Sequence, residues 1–182
     1  MNKALIAAVI AFGSVSMAHA ADDADAAAQG QGKITFKGSI IDSPCSIAPG
    51  FDDQTIDLGE ISKAALESVK GQSKPKNFSI QLENCSFGTP AARNKVQVTF
   101  SGAKSVAANG LLGITGTAKG ASLAITDGSG ALIELDTPTK GQTLKNGNNS
   151  LTFAAYLQAD GASAGITEGD FQAVAEFTLE YS

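Results

Sequence analysis

The one histidine is His19, and the only cysteines are Cys45 and Cys85. His19 lies in a stretch that reads as an export leader: "MNK" gives a positive start, "ALIAAVIAFGSVSM" an apolar run, and "AHA" a small-x-small cleavage signal. Cleavage is expected between Ala20 and Ala21, which makes residues 1–20 a signal peptide and removes the histidine. An apolar run of about 14 residues is short of the roughly 20 that a membrane-spanning helix needs. Without a histidine, the mature chain has no Ser/His or Cys/His nucleophile pair and no imidazole ligand for zinc or copper. In an exported chain Cys45 and Cys85 are expected to form one structural disulfide. A reactive thiol pair is the alternative, but no C-x-x-C motif is present to support it.

Carboxylates are the remaining candidates. Asp52, Asp53, Asp57 and Glu60 are close enough in sequence for paired acid–base work. The chain has no Trp and two Tyr, so no aromatic platform for a sugar accompanies them, and a solvated loop is the simpler reading. Asp22, Asp23 and Asp25 lack the ordered spacing of a calcium loop. "GQGK" at 30–33 looks like the end of a phosphate loop, but Ala27 and Ile34 stand where that motif requires Gly and Ser or Thr. No cofactor, no metal and no enzymatic function are expected. Net charge is −5, and −6 once Lys3 leaves with the leader, with no basic cluster; nucleic acid and anionic membranes are not expected partners.

The elements around these residues are short and punctuated. "ADDADAAAQ" at 21–29 is small and acidic with no apolar period, and is expected to form a tail. In "QGQGKITFKGSIIDSPC", Ile34, Phe36 and Ile40 share one face with Gly38 between them, and Lys33, Thr35, Lys37 and Ser39 take the other. That is a half-buried strand, yet no hairpin turn supplies it with a neighbour. Further strands are expected at 54–61, 77–85, 95–102, 111–115, 122–127, 131–135, 149–159 and 170–182, separated by Gly-, Asn-, Asp- and Pro-rich turns. "TDGSGAL" at 126–132 predicts a hairpin, and "SKAALESVK" at 62–70 a turn or two of helix. The whole predicts one all-β sandwich.

Taken together, "QGQGKITFKGSIIDSPCSI", the second cysteine in "IQLENCS", "LKNGNNSLTFAAYL", Gly169 ahead of a C-terminal strand, and the penultimate Tyr181 carry a resemblance. The chain resembles the subunits of chaperone/usher-assembled pili, of the major rod subunit type found in P pili and MR/P fimbriae. The resemblance implies an incomplete immunoglobulin-like β-sandwich lacking its last strand, with residues 21–40 as an N-terminal donor-strand extension and 41–182 as the pilin domain. Ile34, Phe36, Gly38 and Ile40 match the donor positions, with Gly38 where the groove is shallow. Gly169, Phe171, Ala173, Ala175, Phe177, Leu179, Tyr181 and the Ser182 carboxylate match the acceptor and chaperone-binding strand. Cys45 and Cys85 match the bridge between the first two strands.

The implied partners are copies of the chain itself, a periplasmic pilus chaperone, an outer-membrane usher and other pilus subunits. The implied location is a cell-surface fimbrium reached through the periplasm. The function expected is the major structural subunit of an adhesive fimbria, with a minor adaptor or a tip-associated adhesive subunit as the alternative.

Overall fold

The computed structural model describes residues 32–68, 71–161 and 165–182. The leader, its cleavage site and the tail through residue 31 lie outside the described residues, as do the last two residues of the predicted helical stretch. The chain divides into one unit ending at Ile40 and another running from Ile41 to Ser182.

In chain order the elements are β1 (Ser46–Ile47), α1 (Lys63–Leu66), β2 (Lys76–Cys85), β3 (Lys95–Gly102), β4 (Leu112–Gly113), β5 (Thr115–Gly116) and β6 (Ala121–Asp127). They continue with β7 (Leu132–Ile133), β8 (Gln142–Thr143), β9 (Gly147–Ala159), β10 (Phe171–Gln172) and β11 (Ala175–Tyr181). One sheet runs β1-β2-β9-β6-β4, with β7 also on β6; a second runs β11-β3-β8; β10 and β5 form a small ribbon. All these pairings are antiparallel.

Period-2 patterning explains why the two larger sheets face each other. Val96, Val98 and Phe100 of β3 are buried on one side, with Ile80 and Leu82 of β2, Ile125 of β6, and Leu151 and Phe153 of β9 on the other. Phe78, Phe100 and Phe153 stack edge-to-face or tilted, with ring centroids 5.1–6.3 Å apart. Strand β6 is covered on both faces, so its Ser122 needs internal partners, and it finds Ser105 Oγ at 2.7 Å and the Asp160 carboxylate. Among the described residues no buried side-chain polar atom lacks a hydrogen bond. A smaller cluster of Leu66, Ala121, Leu157 and Ile166 gathers Phe171 and Ile114 around it.

Several expected elements differ. Residues 54–61 form no strand: Asp57 Oδ1 accepts the Gly59 N–H at 2.8 Å, and Gly59 has φ +68°, a turn that competes with a ladder. The described part of the predicted helical stretch, 62–68, gives a single helical turn whose Leu66 is buried, while its Lys63–Glu67 pair is exposed. The predicted hairpin forms, with Ile125 opposite Ile133. Residues 33–40 carry no strand, and Ile34, Phe36 and Ile40 are 79%, 89% and 105% exposed. The single C-terminal strand expected over 170–182 is broken at Ala173 and Val174 into β10 and β11. The partner accounts for the break: β3 ends at Gly102 opposite Ala175, and upstream of that the chain pairs with β5 instead.

Candidate functional site: the groove beside the last strand

The site is built by two edges. On the first sheet, β1 is held to β2 with Ile47 opposite Leu82, and the chain before it is fastened by the Cys45–Cys85 disulfide and by Ser86 N–H donating to Pro44 O at 2.9 Å. On the second sheet, β11 pairs with β3 along its whole length and has no partner on its other edge among the described residues. Between these edges lies a groove of about 430 Å³ lined by Ile41, Ser43, Cys45 and Ile47 on one wall and Phe177, Leu179 and Tyr181 on the other. Asp42, Arg93 and Thr178 complete its rim.

Alternation determines which side chains line it. Phe177, Leu179 and Tyr181 are half-buried and pack against the main core, while Glu176, Thr178 and Glu180 between them are exposed. The opposite wall uses odd-numbered residues, Ile41 to Ile47, whereas the apolar stripe of the N-terminal stretch uses even-numbered ones, Ile34 to Ile40. Between the adjacent residues Ile40 and Ile41 the apolar positions change from even to odd numbers. This parity change was readable in the sequence; the contribution of Arg93, from a loop almost 50 residues further on, was not.

Polar groups close one end of the groove. Tyr181 and Ser43 both line it; partial burial pushes the Tyr181 phenol above the usual value of 10.0, and Ser43 opposes the rise. Arg93 Nη1 lies 3.9 Å from Asp42 Oδ1, with both side chains well exposed, so the pair adds little stability. The chain terminus is fixed by reciprocal bonds between Ser182 and Lys95, of 2.9 and 3.0 Å.

The other acceptor residues named from the sequence fall elsewhere. Phe171 packs in the smaller cluster, Ala173 against the main core, and Ala175 is exposed at the start of β11. Gly169, with φ +150°, sits so close to Thr117 and Ala118 that any Cβ would collide with them. Its place here is therefore at a close approach of two backbones. The carboxylates Asp52, Asp53, Asp57 and Glu60 are all exposed. An apolar trough flanked by a free strand edge can accept an extended chain: main-chain groups pair along the edge and alternate side chains enter the trough.

Comparison with known proteins agrees with this geometry. The family model described as fimbrial protein matches residues 34–182. The chain is 54% identical to the Fimbria A protein of Serratia marcescens over 181 residues, covering 100% of this chain and 98% of that one. It is 46% identical to the major MR/P fimbria protein of Proteus mirabilis, covering 100% and 98%. Among solved structures, a chaperone-usher pilus matches with TM-score 0.74 at 35% identity over 85% of this chain and 97% of that one. The P pilus rod subunit PapA matches with TM-score 0.67 at 33% identity over 77% and 100%. The fold is thus the immunoglobulin-like sandwich of pilins, and the chain belongs to the fimbrial protein family, whose members are structural subunits and not enzymes.

Proposed function

We propose that this chain is the major structural subunit of a cell-surface fimbria and polymerises by donor-strand complementation. In this reading the groove beside β11 receives residues 33–40 of another copy, and Ile34, Phe36, Gly38 and Ile40 enter it. The observation that carries the reading is the pairing of opposites in one sequence: an unpartnered strand edge over an apolar groove, and a short exposed stripe with the matching period. Each Ile or Phe buried on docking contributes about 1.5–3 kcal/mol, and each new main-chain hydrogen bond roughly 0.5–1.5 kcal/mol.

A bare edge of this kind is an aggregation hazard. A periplasmic chaperone that covers it, with the Ser182 carboxylate as an anchor, and an outer-membrane usher that exchanges the chaperone for the next copy, complete the scheme. Cleavage after Ala20 would free the extension at residue 21.

Gly38→Leu tests this directly. A Cβ at Gly38 meets nothing within 4 Å in its own chain, so the substitution leaves the monomer unstrained. Blocked surface polymer with normal soluble subunit is the expected result. Rods of normal abundance by electron microscopy would sink the assignment.

A further inference from the structure

Resting on the donor-strand reading above, we infer that the outward faces of the two strands are matched in charge, and that this match adds to the selection of the register in which one copy joins the next. The apolar faces contribute to that selection through Gly38, whose place a slipped strand would give to Phe36 or Ile40. A one-residue slip turns every apolar side chain outward, whereas a two-residue slip keeps all of them inward and is opposed only where Phe36 or Ile40 takes the place of Gly38.

The outward residues supply further discrimination. On β11, Glu176 and Glu180 are exposed and stand four residues apart, about 13 Å along a strand. Their neighbours on the paired side are neutral, Ser101 opposite Glu176 and Gln97 opposite Glu180. On the N-terminal stretch, Lys33 and Lys37 are also exposed, also four residues apart, and lie on the face opposite Ile34, Phe36, Gly38 and Ile40. None of these four charges takes part in an ion pair among the described residues.

Aligned antiparallel with Lys37 opposite Glu176, Lys33 falls opposite Glu180. The same alignment sets Phe36 beside Phe177, Ile34 beside Leu179 and Gly38 beside Ala175. Shifting by two residues in either direction leaves both glutamates facing uncharged residues: Ser39 and Thr35 for one shift, Thr35 and Gln31 for the other. Both attractive pairs are lost together, although the apolar pattern survives. The equal spacing is also satisfied with the strands parallel, so the charges bear on register and not on direction. The occupant it fits is a second copy of this chain, because its own Lys33 and Lys37 carry the complementary charge at the complementary spacing.

Charge reversal in the full-length chain, expressed in cells that carry the assembly machinery, tests the match. Surface polymer is measured against soluble periplasmic subunit for the parent, K33E/K37E, E176K/E180K and the fourfold combination. Each double reversal is expected to lower assembly about tenfold by opposing like charges, and added salt to shrink the defect. The fourfold variant is expected to return to within about twofold of the parent, since the pairs are restored with signs exchanged. K33E/K37E leaves β11 untouched, so its defect is independent of how β11 is held before assembly. Reversals without effect, or a fourfold variant no better than the worse double, overturn the charge match. Gly38→Leu in the same series separates the two readings. If it blocks assembly while the reversals do not, only the charge match falls; if it assembles normally, the donor-strand reading falls with it.

Discussion

Asp127 shows how much of a turn one side chain can set. Its Oδ1 accepts the Ser129 hydroxyl at 2.6 Å and the backbone N–H groups of Ser129 and Ala131, both at 2.9 Å, closing the β6–β7 hairpin. These bonds, the Ser129 hydroxyl first and the Ala131 N–H next, hold its carboxyl below the usual 3.8. A carboxylate favoured in the folded state contributes stability above its unfolded pKa and loses it as pH falls through the folded value. Asp127→Ala should therefore melt earlier than the parent at pH 7, with the gap narrowing as the pH drops below 3.8. A gap that is constant from pH 7 to pH 2 in thermal melts would exclude the carboxylate as its source. "TDGSGAL" made this turn legible, because Asp and Gly favour it for local reasons. Arg93, Asp42 and Ser43 gave no comparable signal: their place on the groove depends on neighbours distant in the chain.

Strands were legible where both faces obey a simple rule. Strand β3 runs over the residues that its alternation indicates, and β2 and β9 nearly so, because each places one apolar face on the core. The C-terminal strand was legible in pattern but not in extent, since its break is imposed by the end of β3 at Gly102. The wall facing it depends on the Cys45–Cys85 bridge, which closes a sequence separation of 40 residues between two buried sulfurs. Replacing both cysteines with serine should cost roughly 4 kcal/mol of folding stability in the chain-entropy estimate. It should also free the 41–45 segment, which faster amide exchange there would reveal. An unchanged denaturation midpoint would show that the bridge contributes nothing to the fold.

At the level of the whole molecule, the groove exists because one sheet ends at β1 and the other at β11, with no strand between them among the described residues. On the donor-strand proposal, a chain lacking residues 21–40 would keep that groove and lose its complement. It is expected to accept a neighbour but donate nothing, so co-expression with the full-length chain should shorten the rods. Rod lengths measured by electron microscopy that do not change with the ratio of the two chains would count against the separation of donor and acceptor roles.

The sequence by itself determined the all-β patterning, the disulfide partners and the alternating apolar stripe of Ile34, Phe36 and Ile40, because alternation, cysteine count and turn chemistry act over short spans; that the stripe lies exposed and outside any strand came from the structure. It also contained, in Lys33, Lys37, Glu176 and Glu180, two charge spacings that match. Only the tertiary structure decided that Phe177, Leu179 and Tyr181 share a groove with Ile41, Ser43 and Ile47, while Phe171 and Gly169 belong to another part of the fold. That division follows from where the partner strands end, and strand pairing across about 80 residues is set by the packing of the whole core and not by any local pattern.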